Sequence, residues 1–329
     1  MRDKWLRSIG AAVVLLGIGA FLVASISSND GAQAEKDREK QDAPYSVVAL
    51  PIPDAIDLAG EYAPLTDPDV RERLDRELLV NTYWQSNGLL LLKRTNRYFP
   101  RIEELLTEEK IPLDFKYLAL AESGLDHVVS PSGAAGFWQI MKTTGRELGL
   151  RIDKQVDERY HLEKATRAAC SYLKDAYEEF GSWTLAAASY NMGVSGLKRQ
   201  MERQACGNYY DLLLNKETSR YVFRILALKK ILEAPEEHGF SFTASDLYAP
   251  FSLCERVLSE GNHDLMALAK SEGISYKSLI RYNPWLRSDQ ITVAAGEACI
   301  LQLPVTEEIQ KETSTPSETA EPLDSSVVE

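Results

Sequence analysis

Glu122 ends a strongly apolar segment, Leu113–Ala121, and is followed by Ser123 and Gly124. A carboxyl at the end of such a segment lies against hydrophobic surface. Desolvation disfavours its charged form and raises its pKa, as a general acid requires near neutral pH. A small-residue loop follows at Ser130–Gly136, where glycine lets backbone come close to a ligand. Phe137 and Trp138 offer flat apolar faces, and Gln139 an amide suited to hydroxyl or N-acetyl groups. Further on, Ser189-Tyr190-Asn191-Met192-Gly193 adds a hydroxyl and a second amide. Singly, each residue has a plainer reading. Glu122 is then a helix-end carboxylate, Gln139 a surface amide, and Trp138, Met141 and Tyr190 core side chains. Asn191 is then a helix C-cap.

These residues must be held by helices. Asp67 is a good N-cap and Pro68 suits the first helical position. Val70, Leu74 and Leu78 then recur at helical spacing. Leu89–Phe99 follows a break at Asn87-Gly88, and Ile102, Leu105 and Leu106 follow Pro100. Ala165, Ala168, Ala169, Tyr172, Leu173, Ala176 and Tyr177 form a wide apolar stripe. Ser182 caps Trp183–Tyr190, and Tyr221, Ile225, Leu228 and Ile231 mark a last helix. Strand-like alternation is scarce, so residues 67–238 are expected to be an all-α domain. Residues 239–304 read differently: strand Phe251–Leu258, helices Asp264–Glu272 and Ser275–Tyr282, strand Cys299–Leu303. That order describes a compact βααβ module, and the fold class is mainly α.

The 329-residue chain carries a net charge of -12, which argues against a nucleic-acid partner, since such a protein needs a basic face. Residues 305–329 hold seven acids against Lys311 and read as a solvated tail. At the other end, Arg2, Lys4 and Arg7 precede the apolar run Ala11–Ile26. Residues 1–28 are therefore expected to be an export signal or a membrane anchor, oriented with the rest of the chain outside the cytoplasm. Cleavage at Ala32-Gln33-Ala34 and retention as an anchor both remain open. Residues 29–66 are polar and proline-punctuated, and read as a linker. His127, His161, His238 and His263 are scattered, with no metal-ligand spacing, so no metal or cofactor is expected. His127 reads as a solvent-facing loop residue.

Together, Glu122-Ser123, Ser130-x-x-Gly-Ala-x-Gly-x-Trp-Gln-x-Met and Tyr190-Asn-x-Gly resemble the lytic murein transglycosylases with a goose-lysozyme-like catalytic domain, in particular the membrane-bound D type. The resemblance spans roughly residues 70–235 and continues at Asp157, at Phe180–Trp183 and at Glu217–Val222. It implies a periplasmic enzyme acting on peptidoglycan glycan strands. Glu122 would protonate the oxygen between N-acetylmuramic acid and N-acetylglucosamine. It would then deprotonate the muramoyl C6 hydroxyl, which closes a 1,6-anhydro ring. Neither water nor a second carboxylate is needed, unlike the two-carboxylate scheme. Asp126 is the only other acid in 123–141, and reads as a loop cap.

The resemblance also assigns substrate-side residues. Ser123 belongs to the motif, and Ser130 would lie near the reacting sugar. Gln139 and Met141 would line the glycan groove, and Asn191 would meet the N-acetyl group. Tyr190 would hydrogen-bond or orient Glu122, with Glu217 in support and Tyr221 near it. Ser189 departs from the family's usual Ala, and the Glu122–Ser130 spacing is one residue short of the soluble members. A lysozyme-type hydrolase and a non-catalytic wall-binding protein remain alternatives.

Residues 239–304 resemble a LysM domain, through Asp264–Lys270, Gly273-Ile274-Ser275, Leu279–Pro284 and Leu301–Pro304. Asn262-His263-Asp264 replaces the usual Gly-Asp-Thr, so a packing role stands beside sugar binding. The four cysteines permit disulfides in an exported chain, with Cys170–Cys206 and Cys254–Cys299 each within one domain. Other connectivities and buried free thiols are open. Cys254 and Cys299 would fall on the adjacent strands of the LysM-like module.

Overall fold

Local signals set several of the helix starts. In this computed structural model, which describes residues 47–305, Asp67 accepts a hydrogen bond from the Asp69 amide and opens α1 (Pro68–Tyr83), with Val70, Leu74 and Leu78 buried. The expected export segment, its Ala32-Gln33-Ala34 site, the first part of the linker and nearly all of the acidic tail lie outside the described residues. Among the described residues no helix is long and apolar enough to cross a membrane.

Helix α2 (Gln85–Glu108) runs through both expected breaks. The Phe240 ring packs where a side chain at 88 would stand, so glycine is required there by close approach and does not end the helix. Pro100 removes one backbone donor, but Phe99, Ile102, Leu105 and Leu106 on either side of it bury one face, and packing holds the helix together. Helix α3 (Phe115–Ser123) buries Phe115, Tyr117, Leu118, Ala119 and Leu120, and ends on Gly124 in the left-handed conformation (φ 62°). After α4 (Lys142–Glu147), the long α5 (Leu162–Phe180) carries the predicted alanine-rich stripe.

Helix α6 (Trp183–Met192) is capped by Ser182. Glu61 caps it as well, accepting from the Trp183 and Thr184 amides at 2.6 and 2.9 Å. Burial pushes this carboxyl up, but hydrogen bonds from Thr184, Ser182 and Trp183 outweigh it and hold it below the ordinary value. Glu61 belongs to a hairpin, β1 (Asp57–Leu58) with β2 (Glu61–Tyr62), paired antiparallel. The linker expected to reach residue 66 is therefore corrected: Ile56, Leu58, Ala63 and Leu65 are buried in the main core, because hydrophobic residues between the prolines pack on it. Helices α7 (Val194–Gln204) and α8 (Thr218–Glu233) complete this part. The buried Glu77 of α1 accepts from Arg220 at 2.6 and 3.2 Å and pins the start of α8.

The C-terminal module is β3 (Leu253–Leu258), β4 (Gly261–Asp264), α9 (Leu265–Ser271), α10 (Tyr276–Tyr282), β5 (Gln290–Val293) and β6 (Cys299–Pro304). Strands β3 and β6 pair antiparallel, as do β4 and β5. The expected βααβ order thus gains a second strand pair. Four-residue strands such as Gly261–Asp264 are too short to display alternation. Leu265, Leu279, Ile291 and Leu301 form the module's core, which extends to Ala135, Val156 and Tyr160 of the helical part. The Asp157 amide donates to the Trp285 carbonyl at 2.9 Å across this seam.

Neither of the possible disulfides is present; all four cysteines are free, the alternative the sequence left open. Cys254 pairs with Leu303 and Cys299 with Leu258, so the two lie at opposite ends of the β3–β6 ladder. Four residues of strand rise separate them by about 13 Å, whereas a disulfide needs Cα atoms within about 7 Å. Cys170 is fully buried on α5, and the Cys206 thiol donates to the Asn208 carbonyl oxygen. Dithiothreitol should therefore leave Tm unchanged, and maleimide should label four thiols in the unreduced, unfolded chain.

Candidate active site

The apolar register of α3 turns its last residues onto the packed body of the domain, where α8 lies alongside. Glu122 is half-buried there. The Tyr221 hydroxyl donates a hydrogen bond to Glu122 Oε1. Tyr221 and Arg224 fall on one stripe of α8, and Glu217, the residue just before the helix, continues the same spacing. Burial raises the Glu122 pKa above its ordinary value; the Tyr221 bond and the Arg224 charge oppose that rise, and the Glu217 charge adds to it. Burial wins, and the carboxyl is one that holds a proton more readily than a free glutamic acid. Burial also lifts Tyr221 well above 10, so it remains a donor.

Tyr190 does not hold Glu122 by a hydrogen bond, which corrects that one of the two expected roles. Its hydroxyl donates to the Trp138 carbonyl at 2.8 Å, because α6 presents the ring to the loop after α3. Burial lifts Tyr190 well above 10, with the Glu122 charge adding to it, so the two groups interact electrostatically. Tyr190 lines a cavity of about 230 Å³ with Gln139, Met141, Asn191 and Gly193. Gln139 takes a positive φ (47°), and its amide nitrogen is spent on the Val128 and Gly136 carbonyls at 3.0 and 2.8 Å. Its amide oxygen is what it can offer a ligand. Met141 is exposed at the cavity wall. The Asn191 amide donates to Glu217 at 3.3 Å, and its oxygen accepts from Thr218 at 2.7 Å, linking α6 to the start of α8.

Other expected site residues serve the loop. Ser130 accepts from the Ala134 amide at 3.0 Å and bonds Ser132. Ser123 donates to the Phe137 carbonyl at 2.8 Å. Trp138 offers no face to a ligand; it is fully buried, its indole N–H donating to Thr166 at 2.9 Å. Asp126 accepts from the His127 amide and pairs with Arg94 of α2 at 2.7 Å, in keeping with a loop cap. His127 is turned inward and stacked on Phe137 at 4.6 Å, where apolar packing outcompetes its solvation. Two groups escaped the sequence reading. Arg224 was legible only as the residue three beyond Tyr221. Arg159, buried with Asp157 (2.9 and 2.7 Å), donates to the Gly133 and Ile140 carbonyls and clamps the loop from behind.

Replacing Tyr221 by Phe removes a bond that favours the Glu122 carboxylate, so the acid's pKa should rise further. A general acid works while protonated. The descending, alkaline limb of kcat/KM should therefore move to higher pH, and kcat should fall about tenfold as the carboxyl loses its anchor. A pH–rate profile checks this, and an alkaline limb that stays put or moves to lower pH would count against it.

Residues 102–212 match the family model described as the transglycosylase SLT domain. Residues 257–307 match the soluble lytic transglycosylase C-terminal LysM-like domain. Among curated proteins, the chain is similar to membrane-bound lytic murein transglycosylase D of Escherichia coli strain K12 and to its counterpart in Escherichia coli O6:H1. Each is 27% identical over 228 residues, covering 68% of this chain and 49% of the relative. The chain thus spans about half the length of the curated relatives it matches. It carries an SLT transglycosylase domain, in a mainly helical body, and a strand-containing LysM-like domain. The SLT match includes Glu122 and Asn191 and stops short of Glu217, Tyr221 and Arg224.

Proposed function

We propose that this chain, with its SLT and LysM-like domains, is a lytic transglycosylase that cuts the β-1,4 bond between N-acetylmuramic acid and N-acetylglucosamine in exported peptidoglycan. The observation that carries the reading is the Glu122 carboxyl, desolvated at an apolar helix end, held by Tyr221 and neighbouring Tyr190 of the groove wall. Protonated Glu122 gives its proton to the glycosidic oxygen as the C1–O bond breaks. The resulting carboxylate takes the proton of the muramoyl C6 hydroxyl, whose oxygen bonds C1. A 1,6-anhydro end forms, and Glu122 is protonated again. Glu217 raises the proton affinity of Glu122 by like charge, and Arg224 steadies the carboxylate between the two steps. Asn191 and the Gln139 oxygen are offered to the N-acetyl groups, and Met141 to the sugar faces.

On this reading the catalytic body extends from about residue 50 to 238, and the LysM-like module is fastened to it at Trp285. The protein works in the periplasm, on the membrane if residues 1–28 are retained. A second reading has one observation in its favour. Glu217 is close enough to act on Glu122 electrostatically, and a carboxylate pair is what hydrolysis by activated water uses. Mass spectrometry of muropeptides from digested sacculi decides: anhydro ends support the transglycosylase, reducing ends the hydrolase.

A further inference from the structure

A second cleft, about 390 Å³, lies between α2 and the C-terminal module, within the rough 300–1,000 Å³ of small-molecule sites. Its walls are rings: Tyr98 packs edge-on to Phe137 at 4.8 Å, and Phe251 to Tyr282 at 5.1 Å. Two guanidinium groups flank Phe251, Arg97 at 4.2 Å and Arg281 at 5.5 Å from the ring centroid. Arg101, in the same cleft, is neutralised by Glu104 and Glu163, each at 2.7 Å. Arg97 and Arg281 have no carboxylate within ion-pair distance among the described residues; Arg97 Nε donates to the Ala249 carbonyl at 2.9 Å. The exposed Glu255 is the remaining acid of the lining, so the uncommitted charge is positive. His127 and His161 also face the cleft, each with a buried Nδ1 that has no hydrogen-bond partner. Burial pushes both imidazoles down to about 4, so they are neutral at neutral pH and can accept as well as donate.

The cleft therefore combines apolar ring faces, neutral imidazoles in its wall and an unpaired cation suited to carboxylate. We propose that it is a second, non-catalytic site for an acidic amino-sugar fragment, with the sugar on the ring wall and a peptide carboxylate on Arg281. The proposal deepens the wall-glycan reading above and rests on it for the ligand's class.

The probe is N-acetylmuramoyl-L-alanyl-D-isoglutamine, which has no glycosidic bond to cut, titrated into the full chain by ligand-observed NMR. Saturable binding is expected, weakened about tenfold or more in Arg281→Ala, as loss of a charge-assisted bond implies. Arg281 is exposed, so this change leaves the core intact. Phe251→Ala should weaken binding likewise, whereas Glu122→Gln and Asn191→Ala should leave it unchanged. Uncharged N,N′-diacetylchitobiose should bind about tenfold more weakly. No saturable binding in the millimolar range overturns the proposal. So does equal binding of the uncharged disaccharide, or binding lost in Asn191→Ala but kept in Arg281→Ala, which would assign the fragment to the groove. Failure of the cleavage reading would appear in the digestion products instead, and failure here in the titration, so the two are separable.

Discussion

Glu122→Gln should lower strand cleavage about 10³-fold, within the 10²–10⁴ range of general acid–base catalysis, while the protein stays folded. The expected loss is large because one group serves both proton transfers. Glutamine keeps the shape and can still accept from the Tyr221 hydroxyl, but it has no proton to give and no charge with which to take one back. The fold should tolerate the change, since the substitution removes a charge that burial disfavours. Release of soluble muropeptides from purified sacculi measures the rate, and a thermal melt checks the fold. A variant that keeps its rate within about tenfold of the parent, outside that same range, would remove Glu122 from the chemistry.

Gly136→Ala should destabilise the protein by ~3 kcal/mol or more, from a left-handed backbone combined with overpacking, and should abolish efficient cleavage. Gly136 has φ 77°, and a Cβ there would overlap the Arg159 carbonyl oxygen. That oxygen is backbone, in a turn fastened at Asp157 to Trp285, so it cannot swing aside. Gly136 also accepts from the Gln139 amide and from its side chain, so moving it moves the loop carrying Gln139 and Met141. A Tm fall of roughly 5–10 °C is expected. Gly133→Ala is the control: it has φ 88° but open space around its Cβ, so it carries the backbone cost alone. Equal losses for the two would mean that the contact with Arg159 does not matter.

Much of this was legible in the chain itself, and the reason is range. N-caps act over two or three residues: Asp67 and Ser182 open their helices as expected, and Asp264 and Ser275 do the same in the C-terminal module. The apolar run before Glu122 implies a desolvated carboxyl without knowledge of what packs against it. Where range grew, the reading failed. Gly88 and Pro100 look like breaks locally, but helix α2 continues because Phe240, more than a hundred residues later, fills the space beside Gly88. The cysteines sit on paired strands, yet register keeps Cys254 and Cys299 at opposite ends.

By itself the sequence determined which carboxyl is the candidate acid, that helices present it, and that a glycine-rich loop follows. Only the tertiary structure decided that Tyr221, ninety-nine residues away, donates to it, while Tyr190 and the Gln139 amide nitrogen are tied to the loop. The tertiary structure also decided that Trp138 is buried, and that Arg224 adds its charge to the site. Periodicity and capping are properties of neighbours along the chain. Which hydroxyl reaches a carboxylate depends on how two distant helices pack, and that is settled by the whole core.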